Sequence, residues 1–432
     1  MSTNTTQPKS PEHHLTFILA IAASKALQKH QVKCTIHPKV TYYKQDSNGC
    51  PKKSPIQEGA DTTLRTDRFL DTDVPTPFAV GGSVDVRAIG DLEEVTLLAR
   101  GGYNSIWLVK LDTKLEITQA TFSNGSSSPS KHYPIDKYIL RHPCADSLLP
   151  NQISNEVAFR RFVTFKLPHI PVPQVYSYSA TNDPDTSYIF EEYINGSPLN
   201  AIWMTYNPSQ KDNIARRLAS IVVDLAEIRL SKIRGLDPEK FESAPTVEGC
   251  KFFKGRGKLH RNESYPIGPY SSTKEYMLAC YDKEIFYYSN ADAEDIDESL
   301  FDDISIEEFV EQLREKRRSL EEKDIADEPF VLIHSDLHGQ NILMKGDQIA
   351  AILDWEFAGS YPLSEEALSD GGIDVVDADS EELEEENEVW GGKIREYIGE
   401  LVGMRGWESK DVELLLGEGN RELGVARGEM VP

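Results

Sequence analysis

Apolar and polar residues change their spacing along the chain, and each change predicts a different kind of element. From Leu92 onward, short apolar runs bounded by turn residues predict strands over 95–98, 106–111, 137–141, 175–179 and 187–193. One helix interrupts them after the turn near Pro150, with Ser154 or Asn155 as its N-cap and Glu156, Phe159, Arg160 and Phe162 following. Residues 168–173 (P-H-I-P-V-P) predict an extended connector. After Gly196-Ser197-Pro198 the period changes. Ile214, Leu218, Ile221, Val222, Leu225 and Ile228 recur at helical spacing and predict a helix over 211–230, with two more over 276–288 and 306–320. Apolar runs at 331–333, 342–344 and 349–353, the last two joined by a Lys345-Gly346-Asp347 turn, predict a β-hairpin set among these helices. A final helix is predicted over 393–402. The sum is an α+β chain, a small and mostly antiparallel β lobe followed by a larger helical lobe.

This order partitions the chain into an N-terminal extension (1–88), the β lobe (89–195), the helical lobe (196–368) and an acidic C-terminal segment with a short helix (369–432). A length of 432 residues accommodates about two or three domains. Within the extension, the apolar patch 15–23 is too short to span a bilayer. It reads as a helix packing on the body of the protein, with a signal-peptide core or a mitochondrial presequence as the alternatives. No stretch elsewhere is apolar for long enough to insert stably in a membrane, so a soluble protein is expected. Residues 124–131 are a Ser/Gly loop.

Charge narrows the partners. The net charge of −25 opposes a nucleic-acid backbone or an anionic membrane as main partner; it would attract a cationic small molecule, and is equally a plain solubility feature. The acidic runs 292–303 and 374–388 are expected to be solvated faces or tails. Five cysteines, odd in number and without C-x-x-C spacing, fit reduced thiols and a cytoplasmic setting better than disulfides or zinc.

The candidate chemistry lies in one segment, V-L-I-H-S-D-L-H-G-Q-N-I-L-M-K-G-D-Q-I-A-A-I-L-D-W, from Val331 to Trp355. An apolar run delivers His334 and Asp336 to a loop, Asn341 follows five residues later, and the second strand of the hairpin ends on Asp354. Phosphoryl transfer from a nucleotide needs such oxygens: a carboxylate to orient and deprotonate a hydroxyl, and hard ligands for Mg²⁺.

The arrangement H-x-D-x-x-x-x-N, a short hairpin and then I-L-D-W resembles the aminoglycoside phosphotransferase and choline kinase superfamily, most closely a fungal group of phosphotransferase enzymes. The resemblance spans roughly 92–363, and implies a two-lobed protein-kinase-like fold with ATP and Mg²⁺ in its cleft. By that resemblance Asp336 is the catalytic base, Asn341 and Asp354 hold Mg²⁺, and His334 braces the loop. His338 is either a further participant or a polar loop residue without catalytic duty. Gly101, Gly102, Asn104 and Ser105 stand where a phosphate-cradling hairpin belongs. Arg141 stands at the strand end where kinase-like folds place a Lys, and Glu156 on the next helix is its expected partner. Arg keeps the charge and adds a bidentate fork; Lys137 and Lys110 are the fallbacks. The stretch Y-I-F-E-E-Y-I-N-G from Tyr188 resembles the interlobe hinge, with backbone groups from Glu192 to Ile194 positioned for adenine. His338 occupies the position where protein kinases carry a Lys, and no A-P-E activation segment follows Asp354, so a small-molecule acceptor is expected. The alternative is a nucleotide-binding pseudokinase or scaffold without turnover. The oligomeric state and the acceptor have no signature in the sequence.

Overall fold

The computed structural model describes residues 42–45, 51–54, 84–87, 92–119, 135–248, 254–296, 301, 304–368, 373–417 and 420–427. The patch at 15–23, the loop at 124–131, Cys34, Cys50 and Cys250 lie outside them. The chain divides into two compact units, one of residues 1–150 and 175–193 and the other of residues 151–174 and 194–432. The division after Tyr193 falls inside the stretch expected to be a hinge.

The first unit holds a short antiparallel pair, β1 (Tyr42–Gln45) and β2 (Pro51–Ser54), and a six-stranded antiparallel sheet. The sheet comprises β3 (Val84–Arg87), β4 (Leu92–Arg100), β5 (Asn104–Gln119), β6 (Ile135–Pro143), β7 (Val175–Ser179) and β8 (Tyr188–Glu192). Its order is β3-β5-β6-β8-β7, with β4 also on β5. The predicted strands are all present, several of them longer than their apolar cores. Tyr188, Ile189 and Phe190 of the central strand β8 are buried, and Phe190 stacks on Tyr138 of β6 at 4.9 Å between ring centroids.

The second unit opens with α1 (Asn151–Lys166), which starts earlier than expected. Asn155 is not its cap. The side chain lies inside the helix, 1% exposed, and donates to the Glu356 and Ala358 carbonyls at 3.1 and 2.7 Å. A tertiary bond has claimed the side chain that local propensity assigned to capping. Next come β9 (Ser197–Pro198), α2 (Leu199–Ile202) and α3 (Pro208–Ala226). α3 begins before the predicted 211 because Asn207 and Gln210 form a capping box with Pro208 at the first turn. It ends before 230 because Arg229 and Leu230 form β10, paired with β13 (Phe330–Ile333). The small pair β11 (Gly235–Leu236) and β12 (Ser243–Ala244) precedes α4 (Thr273–Asn290) and α5 (Ile306–Glu322), capped by Ser272 and Ser305. β13 pairs with β10 and β16 (Gly359–Pro362), whereas β14 (Ile342–Lys345) and β15 (Gln348–Ile352) form the predicted hairpin, with β9 added at its edge.

The C-terminal stretch departs most from expectation. In place of an acidic segment with one short helix, the chain forms α6 (Glu381–Met404), α7 (Ser409–Leu415) and α8 (Arg421–Arg427). Glu381, Glu382 and Glu384 occupy the first turn of α6, where negative charge opposes the positive end of the helix dipole. Trp390, Ile394, Tyr397, Ile398 and Val402 then pack into the core of this unit. The upstream part of the same acidic run is also packed, with Ile373, Val375 and Val376 buried. Glutamate is a good helix former, so a glutamate-rich run with apolar residues every three or four positions is a helix. No described helix is long and apolar enough to cross a membrane.

Candidate active site

His334 follows the end of β13, and the chain then makes a turn with positive φ at Ser335 (65°) before reaching Asp336. The His334 ring is 1% exposed and fixed at both nitrogens. Nε2 donates to the Leu353 carbonyl at 2.9 Å, and Nδ1 accepts the Asp336 amide at 3.3 Å. That network requires the neutral Nε2–H tautomer. Burial agrees with it, pulling the imidazole down to about 4 despite the nearby Asp336 carboxylate. The ring also meets Trp355 edge-on at 4.5 Å. His334 therefore ties the end of β13 to the end of β15 and is not poised to exchange protons.

Asp336 is held from both sides. Asn341 Nδ2 donates to its Oδ2 at 2.8 Å and to its backbone carbonyl at 2.9 Å, and His338 Nε2 lies 3.4 Å from Oδ1. Burial raises the Asp336 pKa, but His338, His334 and Asn341 together outweigh it and hold the carboxyl below its ordinary value. His338 moves the opposite way. Burial lowers it, yet Asp336, Asp354 and Asp374 raise it above its ordinary value. About a third of the Asp336 side chain stays exposed, so an ionised oxygen faces solvent at neutral pH.

Asn341 turns its amide nitrogen to Asp336, which leaves the carbonyl oxygen as the atom for a ligand. Its backbone carbonyl accepts the Leu353 amide at 2.8 Å, so the residue before Asp354 is fastened to it. Asp354 adopts a left-handed conformation (φ 61°, ψ 56°) at the start of a short 3-10 turn, a strained state for a non-glycine residue. Oxygens of Asp354, Glu356 and Glu156 lie within 4.8 Å of one another. Glu356 is 4% exposed and accepts from Gln152 Nε2 at 2.7 Å, while Glu156 is 2% exposed with Arg160 Nη1 3.4 Å away. Hard carboxylate oxygens converging in this way suit Mg²⁺ or Ca²⁺.

The remaining predicted residues, Ile194 excepted, lie in the first unit. Gly101 and Gly102 form the exposed turn between β4 and β5, with the Gly101 amide donating to the Asn104 carbonyl at 2.8 Å. Asn104 and Ser105 begin β5 opposite Pro143 and His142. Arg141 sits buried on β6 between Ile106 and Ile189. Lys137 reaches over the Tyr193 ring at 5.6 Å, and Lys110 pairs with Glu94. Glu192 closes β8, and Ile194 is the first residue returning to the second unit.

Asp336, Asn341, His334 and Asp354 are thus brought together, and Glu156 arrives beside Asp354. Sequence reasoning missed Glu356 and Gln152. The D-W-E spelling was a local signal for Glu356, whereas Gln152 lies 204 positions away and had none.

Residues 120–369 match the family model described as the phosphotransferase enzyme family. No curated protein matches the chain. Among solved structures, it is similar to the gentamicin complex of APH(2″)-IIa at 14% identity, covering 77% of this chain and 91% of that one with a TM-score of 0.41. Similar values hold for ADP-bound aminoglycoside phosphotransferase APH(2″)-Ib, at 13% identity, 78% and 92% coverage and a TM-score of 0.40. A thermostable mutant of APH(4)-Ia in a ternary complex with ADP and hygromycin B gives 16% identity, 79% and 92% coverage and a TM-score of 0.39.

Proposed function

The chain belongs to the phosphotransferase enzyme family, and on that premise we propose that it moves the γ-phosphoryl group of ATP to a hydroxyl of a small polar or cationic molecule. The observation that carries this reading is Asp336, ionised, partly open to solvent and fixed by Asn341 and His338. Asp336 orients the acceptor hydroxyl and takes its proton as the new O–P bond forms. The bond from the γ-phosphorus to the bridging oxygen breaks, and ADP leaves with that electron pair. Asn341 and Asp354 would hold Mg²⁺, which when bound neutralises charge on the phosphates. The backbone of Gly101, Gly102, Asn104 and Ser105 and the guanidinium of Arg141 serve the phosphates, and the backbone from Glu192 to Ile194 serves the adenine. Glu156 and Glu356 add negative charge beside Asp354. Five scattered cysteines, odd in number and without C-x-x-C spacing, favour a cytoplasmic setting.

The test is acceptor-dependent ADP release from Mg·ATP across a panel of hydroxyl compounds. Asp336→Asn is expected to lower it about 10²–10⁴-fold, the usual worth of a positioned base, while leaving the thermal shift produced by Mg·ATP in place. Asp354→Ala is expected to remove the Mg²⁺-dependent part of that shift. Wild-type turnover in Asp336→Asn would falsify the assignment of the base. A thermal shift with Mg·ATP but no acceptor-dependent ADP would instead favour a scaffold, the reading that Arg141 in the usual Lys position keeps open.

A further inference from the structure

The loop carrying Asp336 and Asn341 is gripped from outside by a segment that the charge pattern marked as a solvated run. The Gly339 amide donates to the Asp374 carbonyl at 2.7 Å. Gln340, the residue before Asn341, donates through Nε2 to Asp377 Oδ1 at 2.8 Å. Asn200, from α2, donates to the same oxygen at 2.8 Å. Two amides from elements 140 positions apart therefore converge on one carboxylate oxygen, an arrangement that fixes their separation and favours a charged acceptor over a neutral one.

The segment is itself rigidly seated. Asn387 of α6 accepts the Val375 and Val376 amides at 2.9 and 3.0 Å and donates to the Val376 carbonyl at 2.9 Å. Val375 is fully buried. The fit against the loop is close enough to require glycine at 339: a Cβ there would come within 2.6 Å of the Val375 carbonyl oxygen and 3.1 Å of the Asn200 Cβ.

We propose that residues 373–379 brace the loop 336–341, and that Asp377, acting through Gln340, is a positioning residue for the phosphoryl transfer; the inference rests on the function proposed above. Without Asp377 the loop keeps the Gly339–Asp374 and Asn341–Asp336 bonds, so it stays folded. It loses the tie adjoining Asn341, and small displacements of reacting groups cost rate more than binding.

The experiment is steady-state hydrolysis of Mg·ATP by the full chain, with water as acceptor. Asp377→Ala is expected to lower kcat about tenfold, in the range seen when groups behind an active residue are removed, with KM for ATP within about twofold. Asp377→Asn keeps an oxygen acceptor at the same position and restores kcat to within about threefold of wild type. Gln340→Ala gives a loss similar to that of Asp377→Ala, and the double variant loses no more than either single one, as residues acting through a shared bond do. Melting temperatures measured alongside give the folded fraction. The brace is overturned if both alanine variants keep kcat within twofold of wild type, if Asp377→Asn falls as far as Asp377→Ala, or if the loss only follows the folded fraction. Asp336→Asn is run beside them: retained hydrolysis there overturns the phosphotransfer reading, whereas its loss beside a normal Asp377→Ala overturns the brace alone.

Discussion

Glu248 and Asp336 are two carboxylates of the same unit, one buried and one partly open, and they are treated in opposite ways. Glu248 meets Lys283, and Arg427 Nη1 lies 3.4 Å away, while Arg256 donates to its backbone carbonyl. Burial pushes its pKa up, but Lys283 and Arg427 more than offset that and hold it well below the usual range. Around it, Arg427 also pairs with Glu365, and Tyr276 donates to Glu365 at 3.3 Å. Charge there is matched by charge. Asp336 has an amide and an imidazole instead, and a third of it is open. A carboxylate neutralised by fixed cations has nothing left to offer a ligand, whereas one steadied by weaker partners keeps its charge available.

That contrast can be broken first on the closed side. Lys283→Met leaves Glu248 buried without the largest of its compensating cations, and is expected to cost about 3–5 kcal/mol of unfolding free energy in urea. Turnover per folded molecule should not change. Asp336→Asn should do the reverse, altering stability by less than about 1 kcal/mol while turnover collapses. Equal losses of stability in the two variants would show that the carboxylates are not differently employed.

A smaller effect comes from His260, 8% exposed beside Tyr265 and the same cations. Burial, reinforced by Arg256, lowers its pKa to about 3 from an ordinary 6.5. Below pH 6.5 the unfolded chain therefore takes up a proton that the folded protein refuses, and stability falls as pH falls towards about 3. From this residue alone the loss between pH 6.5 and pH 4.5 is about 2 kcal/mol. Urea unfolding of wild type and His260→Phe at both pH values checks it, and identical slopes would sink the assignment.

Local patterns were readable where chemistry and sequence are neighbours. The H-x-D-x-x-x-x-N spacing and the hairpin to Asp354 placed four residues that the fold does bring together. The apolar period of α3 and α5 is equally plain, because burial on one face leaves a 3.6-residue imprint. Legibility failed where a side chain serves a distant element. Asn155 reads as a cap and is a tertiary donor; Asp377 reads as one more solvated acid and is the acceptor for Gln340 and Asn200. Glu156 is expected beside Arg141 only through the family resemblance, and its convergence with Asp354 and Glu356 has no trace in spacing. Charge patterns report average exposure, and these are the residues that depart from the average.

The bonds of Arg427 have a consequence for how the protein is made. Its partners Glu365 and Glu248 lie 62 and 179 positions earlier, so both leave the ribosome well before the cation that matches them. During synthesis the unit of α3 to α6 therefore holds Glu365 without its guanidinium, and burial of that charge has to wait for α8. The order of emergence therefore places the pairing of Arg427 after the synthesis of both carboxylates it joins.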